Sequence, residues 1–269
     1  MSSKYNQRKA VSVIKVQNKK LVPALGRGVR LLDFVATSSS KPTLTELASA
    51  VDLPKSTVHG LCSTLTELGL LRRNSDGTFQ IGPHVMQWAN SFTRETSVVR
   101  EFAQIWDAES FLPGATVTLS VLEGAEIVYV AARNSGTIAG FNFRIGMRLP
   151  AVFTATGKAF LSYLTEPEIR ALYPEGLPSP MTPFSVSNVS DLMRQLRSVQ
   201  QQGYSVDNQE VAEGMACIGA PVLNAQNQPI AAIAVSLLAN TLSKEELDEV
   251  AASVREIARS LSVKLGALA

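Results

Sequence analysis

The chain has 269 residues, 45% hydrophobic and 18% charged, a composition that suits a globular protein large enough for two cores. It has no apolar run long enough to span a bilayer and no apolar stretch behind its basic N-terminus for export; its two cysteines, Cys62 and Cys217, exclude a disulfide framework. The net charge of +2 hides an asymmetry: residues 1–85 carry twelve Lys/Arg against five Asp/Glu, while the remainder is net negative.

A basic segment on an acidic body is the electrostatic footprint of a DNA-binding head, in a protein expected to be cytoplasmic. Six of the cations fall within residues 1–20, so part of the asymmetry is a basic, flexible tail, residues 1–22. Pro23 stands where a first helix would begin, and Leu25, Val29, Leu32 and Ala36 recur at helical spacing with Arg27 and Arg30 on the other face. The polar stretch 37–42 breaks that helix. A short second helix runs to Ala50, capped by Thr43 or Thr45, with Glu46 three residues after Thr43 as in a capping box.

Val51, Asp52 and Leu53 make a tight turn, and a third helix follows with Pro54 in its first turn. Its apolar stripe is Val58, Leu61, Cys62, Leu65 and Leu68, and Gly69 stops it. The opposite face is Ser56, Thr57, Gly60, Ser63 and Thr64, flanked by Lys55 and His59, with no carboxylate before Glu67. A helix that enters the major groove must be slim and must exclude acids, which phosphates repel. Two short strands then flank Asp76–Gly77, a strong hairpin signal, and carry Arg72 and Arg73 beside the minor groove or the phosphates. This order is that of a winged helix-turn-helix over residues 23–85.

Residues 83–97 read as a helix with Val85, Trp88 and Phe92 at helical spacing, and its span 86–97 as a linker. Trp88 reads as a core or interface anchor. Beyond it, helices are expected at 102–111, 156–164, 166–172, 190–202 and 243–266, the last capped by Ser243 with Glu246. Strands are expected at 116–122, 127–133, 140–145, 204–206, 217–223 and 230–237. A sheet with helices on both sides makes residues 98–269 an α+β body.

That body contains no histidine, since His59 and His84 both lie in or beside the head. It therefore lacks a Ser-His-Asp, Cys-His or His-bearing zinc arrangement, and no Gly-x-Gly-x-x-Gly or Walker A loop is present. Cys217 stands alone. No catalysis, cofactor or metal is expected, an enzyme acting on a small carboxylate being the alternative. Residues 155–158 open a helix after an apolar segment, where free N–H groups favour an anion. Phe141, Phe143, Met147 and Phe153 either wall an apolar or aromatic ligand or are ordinary core.

The blocks Pro23-Ala24-Leu25-Gly26-Arg27-Gly28, Leu44-Thr45-Glu46-Leu47-Ala48 and Leu53-Pro54-Lys55-Ser56-Thr57-Val58-His59 closely resemble the IclR-type bacterial transcriptional regulators. The resemblance continues through Gly157-Lys158-Ala159, Gly203-Tyr204, Asp207 to Glu210, Cys217, Ala220-Pro221-Val222 and Leu265-Gly266. It implies a GAF-like effector-binding body and a homodimer or dimer of dimers on double-stranded operator DNA. It also implies a small organic acid as effector, with Ala155, Thr156, Asp207, Cys217 and Ser236 as pocket positions. Repression is the expected sign. DNA contacts would fall on Arg27, Lys55, Ser56, Thr57, His59, Arg72 and Arg73. Two positions depart from the family: Gly60 stands where an Arg is usual on the recognition helix, and Ala234 where some carboxylate-sensing relatives have a Ser.

Overall fold

The computed structural model describes residues 22–95, 97–108, 115–133, 137–239 and 243–267; the tail assigned to 1–22 lies outside them except for Val22. The chain forms two compact units, Met1–Glu95 and Thr96–Ala269. In the first, α1 (Pro23–Thr37), α2 (Leu44–Val51) and α3 (Lys55–Glu67) are followed by the hairpin β1 (Leu71–Arg73) and β2 (Phe79–Ile81), then α4 (Val85–Glu95). Thr43 caps α2: Glu46 Oε2 accepts its N–H at 2.7 Å while the Thr43 hydroxyl accepts the Glu46 N–H. Asp52, at φ +52, turns the chain sharply from α2 into α3. At the wing tip, Asp76 Oδ1 accepts the Thr78 N–H at 3.0 Å around Gly77.

Leu31, Leu47, Val58, Leu71 and Phe79 form the core of this unit. The apolar row expected on α1 is corrected: Leu25 and Val29 are 69% and 41% exposed, and Gly28, Leu31 and Val35 are buried instead. Two rows at helical spacing compete along this segment, and packing against α2 and α3 selects the one centred on Leu31. Arg27 is thereby half-buried beside the packed row and not opposite it. On α3 the expected stripe holds at Val58, Cys62 and Leu65; Leu68 is exposed because it is the C-cap, and Pro54 is the N-cap, one step ahead of the first turn.

The second unit comprises α5 (Ser97–Ala108), β3 (Thr116–Glu123), β4 (Glu126–Arg133), β5 (Thr137–Ile138), β6 (Phe141–Asn142), β7 (Arg148–Pro150), α6 (Ala155–Leu161), α7 (Glu166–Leu172), α8 (Val189–Gln202), β8 (Ser205–Asn208), β9 (Met215–Leu223), β10 (Pro229–Leu238) and α9 (Lys244–Lys264). Six strands make one antiparallel sheet in the order β7-β4-β3-β10-β9-β8. One face packs Val117, Leu119, Ile218, Ile233 and Val235 against Val254, Ile257 and Leu261 of α9 and Phe102 of α5. The other packs Tyr129, Cys217, Ala232 and Ala234 with Phe160 of α6 and Leu192 and Leu196 of α8. This α+β architecture matches the sequence reading, and no helix among the described residues is long and apolar enough to cross a membrane.

Two local expectations change. The strand expected at 140–145 shrinks to β6, paired with β5 across Ala139 and Gly140, both at positive φ; the strand that joins the main sheet beside β4 is β7, after the Gly146 turn. The helix expected from residue 102 begins at Ser97, so the segment 86–97 holds all of α4 except Val85, together with the first residue of α5. Close backbone contact then positions α6. A Cβ on Gly157 would lie 2.1 Å from the Ala151 carbonyl oxygen, and one on Gly219 would lie 2.9 Å from the Ala155 carbonyl carbon. Glycine at 219 lets α6 lie directly on the sheet, and glycine at 157 lets it close onto the turn after β7.

Candidate functional site

Helix α3 buries Val58, Cys62 and Leu65 and turns Lys55, Ser56, His59, Gly60, Ser63 and Thr64 to solvent, with Thr57 half-buried. No side chain caps its N-terminus, so the first-turn N–H groups remain available to an anion. On the wing, Arg72 and Arg73 are both exposed; the Arg73 guanidinium lies 6.0 Å over the ring of Phe79, its cross-strand neighbour. Trp88, expected as a core or interface anchor, is 54% exposed within its unit and meets the His84 ring edge-on at 5.0 Å. Among the described residues, Arg27, Arg30, Lys41, Lys55, Arg72 and Arg73 have no carboxylate at ion-pair distance; in the second unit Arg148, Arg170, Arg194 and Arg259 do, while Arg144, Arg197 and Arg255 do not. An acid-free helix face, in a unit whose other described cations on α1, β1 and the loop before α2 form no ion pair, is suited to a polyanion.

The second unit buries polar chemistry in its sheet. Strand register aligns Asp207, Cys217, Ser236 and Thr116 as direct neighbours across β8, β9, β10 and β3. The next row on this face is Ser205, Gly219, Ala234 and Thr118. Asp207, Ser236, Thr116, Thr118 and Ser205 are all 1% exposed or less. Cys217 Sγ lies 3.2 Å from Ser236 Oγ, and Thr156 of α6 donates to Ser120 Oγ at 3.2 Å. Three of the five predicted pocket residues thus share one row; Ala155 of α6 lies over the next row, its carbonyl accepting from Ser205 Oγ at 2.6 Å, and Thr156 lies over Ser120 beyond it.

Residues 24–75 match the family described as the IclR helix-turn-helix domain, and residues 92–263 match the bacterial transcriptional regulator IclR C-terminal family. The chain belongs to the IclR family. The crystal structure of the Agobacterium tumefaciens repressor BlcR is similar at 44% identity, covering 93% of this chain and 100% of that one, with a TM-score of 0.62. The Escherichia coli K12 regulator XynR is 29% identical over 91% of this chain and 98% of its own. An IclR homolog from Microbacterium hydrocarbonoxydans, crystallised with 4-hydroxybenzoate, shares the fold at 21% identity and a TM-score of 0.75, covering 90% and 98% of the two chains. This IclR-family chain is a DNA-binding transcriptional regulator, and its family relatives are regulators too.

Within the IclR-family body, the start of α6 differs from the sequence reading in one respect. Its N-cap, Thr154, already accepts the Gly157 N–H at 3.0 Å, so one of the amides expected to face an anion is taken. Asp207 Oδ1 accepts the Glu210 N–H at 2.7 Å, and burial pushes its carboxyl up to about 7 against the opposing pull of Lys158. Burial and the neighbouring Asp207 also raise the Cys217 thiol, which makes it a poor nucleophile. Phe143 and Phe153 are buried core; Phe141 and Tyr129 meet Phe143 edge-on at 4.9 and 5.5 Å.

Sequence reasoning missed the Lys158–Glu210 ion pair, Tyr129, Thr118 and Ser120. Strand alternation could have found Thr116, Thr118 and Ser120, because three hydroxyls at every second position share one face of a strand. A groove of about 430 Å³ opens on the other face, between α9 and β9; its Arg255, Glu256 and Arg259 are exposed, and its buried Ser262 is already hydrogen-bonded to Leu223 N and Ala258 O. The buried row is therefore the stronger candidate site.

Proposed function

We propose that this IclR-family regulator is a repressor whose hold on operator DNA is set by a small organic acid. Residues 23–85 serve as the DNA-binding head, 86–97 as the join and 98–269 as the effector domain. Lys55, Ser56, Thr57 and His59 present α3 to the major groove, with Arg27, Arg72 and Arg73 on the flanking phosphates or minor groove. Ala155, Thr156, Asp207, Cys217 and Ser236 surround the effector. The similarity to the repressor BlcR supports the sign, and the homolog holding 4-hydroxybenzoate supports an acid, aromatic or otherwise, as the ligand class.

The observation that carries this reading is the acid-free exposed face of α3, with Lys55 on it, in a unit whose described cations form no ion pair. A dimer, or a dimer of dimers, would set two recognition helices on two half-sites. An effector that favours one arrangement of the heads shifts the population, and a coupling of about 1–3 kcal/mol changes DNA affinity roughly 5–150-fold.

Gel retardation of DNA flanking the protein's own gene tests the reading. A specific complex should form and weaken steeply with salt, and Lys55→Glu should abolish it with the circular dichroism unchanged. Retention of the complex by Lys55→Glu would remove α3 from the recognition role.

A further inference from the structure

The buried row carries an imbalance of charge that narrows what it can accept. Lys158 of α6 is the cation facing Asp207, and its Nζ is committed to Glu210 and, at 3.0 Å, to the Val206 carbonyl. Asp207 itself, on β8, makes no ion pair among the described residues; it is held by the amides of Glu210 and Val211. The other titratable groups facing it are Glu210 beyond β8, Cys217 on β9 and Tyr129 on β4. Two buried carboxylates thus share one ammonium. An acid entering as its anion would add another negative charge with nothing to balance it.

The interior is also short of donors and not of acceptors. Gln195 Oε1 is buried without a partner, near Glu210. Two hydroxyls are nevertheless uncommitted. Tyr129 is 5% exposed and its Oη makes no hydrogen bond among the described residues, although it lies close enough to Asp207 and Cys217 to feel their charge. Thr118, 1% exposed, likewise makes no side-chain hydrogen bond among the described residues. Among the described residues Gln195 Oε1 is the fully buried side-chain polar atom without a partner, so these two hydroxyls keep some contact with solvent, which a polar ligand would replace.

We propose that the row binds an organic acid together with one proton, a ligand carboxyl oxygen and Asp207 sharing a single hydrogen while Tyr129 Oη and Thr118 Oγ1 supply the remaining polar contacts. The proposal rests on the reading of this row as the effector site. The proton arrives either from solvent onto Asp207 or on the undissociated acid, and both routes leave the same complex with the same charge. The tendency of buried Asp207 to hold its proton near neutral pH fits this arrangement. Tyr129 and Thr118 then become specificity residues, reading a carboxyl group through donors that an anion-only site would not need.

Calorimetric titration of the full-length protein with acetate, in two buffers of different ionisation enthalpy, tests this. Acetate should bind at pH 6, take up close to one proton per molecule at pH 8, and lose about tenfold in affinity per pH unit above the titration of Asp207. Asp207→Asn, which offers an N–H in place of the shared hydrogen, should bind acetate equally at pH 6 and 8. Tyr129→Phe and Thr118→Val, which leave the backbone and charges alone, should weaken acetate at both pH values. Absence of acetate binding at pH 6, binding without proton uptake, or binding of uncharged acetamide in its place would overturn the proposal. Retardation of promoter DNA by the same preparation without acetate is scored separately, so a failure of the regulatory reading is told apart from a failure of the proton count.

Discussion

Lys158 and Glu210 pair in the interior of the second unit with only 1% and 5% of their side chains exposed. Because Lys158 also holds the Val206 carbonyl and Glu210 Oε2 accepts the Val186 N–H at 3.0 Å, the pair ties α6, the edge strand β8 and the segment before α8 at one point. Removing one partner leaves a buried charge unbalanced. Lys158→Met should cost about 3–5 kcal/mol in urea denaturation, whereas Lys158→Met combined with Glu210→Leu should cost far less than the two single changes added together. Additive losses would show that the two charges act independently.

Asp207 should make the stability of this unit depend on pH. Its folded carboxyl is pushed up to about 7, above the ordinary unfolded value near 4, so the folded state holds a proton that the unfolded state releases. The stability this group contributes is fully present below about pH 4 and lost as pH rises through about 7, a loss of a few kcal/mol. Asp207→Asn should flatten that slope and be more stable than the parent at pH 8, with the gap closing toward pH 4. Urea midpoints measured across this range check it.

Gly219→Ala should be destabilising. Its Cβ would sit 2.9 Å from the Ala155 carbonyl carbon and 3.1 Å from Ser205 Oγ, so α6 must lift from the sheet. A loss of about 1–3 kcal/mol is expected, with weaker acetate binding because α6 lies over the adjoining row. A parent-like melting temperature would show that α6 has slack.

Gly60→Ala should act in the other direction. Nothing lies within 4 Å of the added methyl, and the position is mid-helix and exposed, so the head should gain about 1 kcal/mol. Its effect on DNA is a separate reading: if α3 approaches the groove closely at Gly60, retardation should weaken although the fold is firmer.

Much of this was legible from local pattern. The Thr43–Glu46 capping box, the Asp76–Gly77 wing and the acid-free face of α3 each follow from a few neighbouring residues, and the α+β body follows from alternation. The α1 row was not, because two apolar rows satisfy the same spacing and only contact with α2 and α3 chooses between them. The short β6 and the missed β7 turn on the positive-φ residues Ala139, Gly140 and Gly146, whose effect on strand length is tertiary. For the buried site, Asp207, Cys217 and Ser236 came from resemblance; their alignment as one row depends on the pairing of β8, β9 and β10, which no single strand encodes. Lys158 was read as part of a helix start, and its burial against Glu210, 52 residues away, had no local signal.

The exposed, unpaired Arg30, Lys41, Lys55, Arg72 and Arg73 also have a consequence for the protein off its DNA. None of these cations has a carboxylate at ion-pair distance among the described residues, although Asp76 feels the charge of Lys41; like charges repel, so the free head carries self-repulsion that its complex with phosphates would relieve. Added salt should therefore act with opposite signs on the two states. It screens the free head and raises its melting temperature, while it loosens the same head from DNA. Calorimetry of the free protein beside retardation over one salt series would show the two trends crossing.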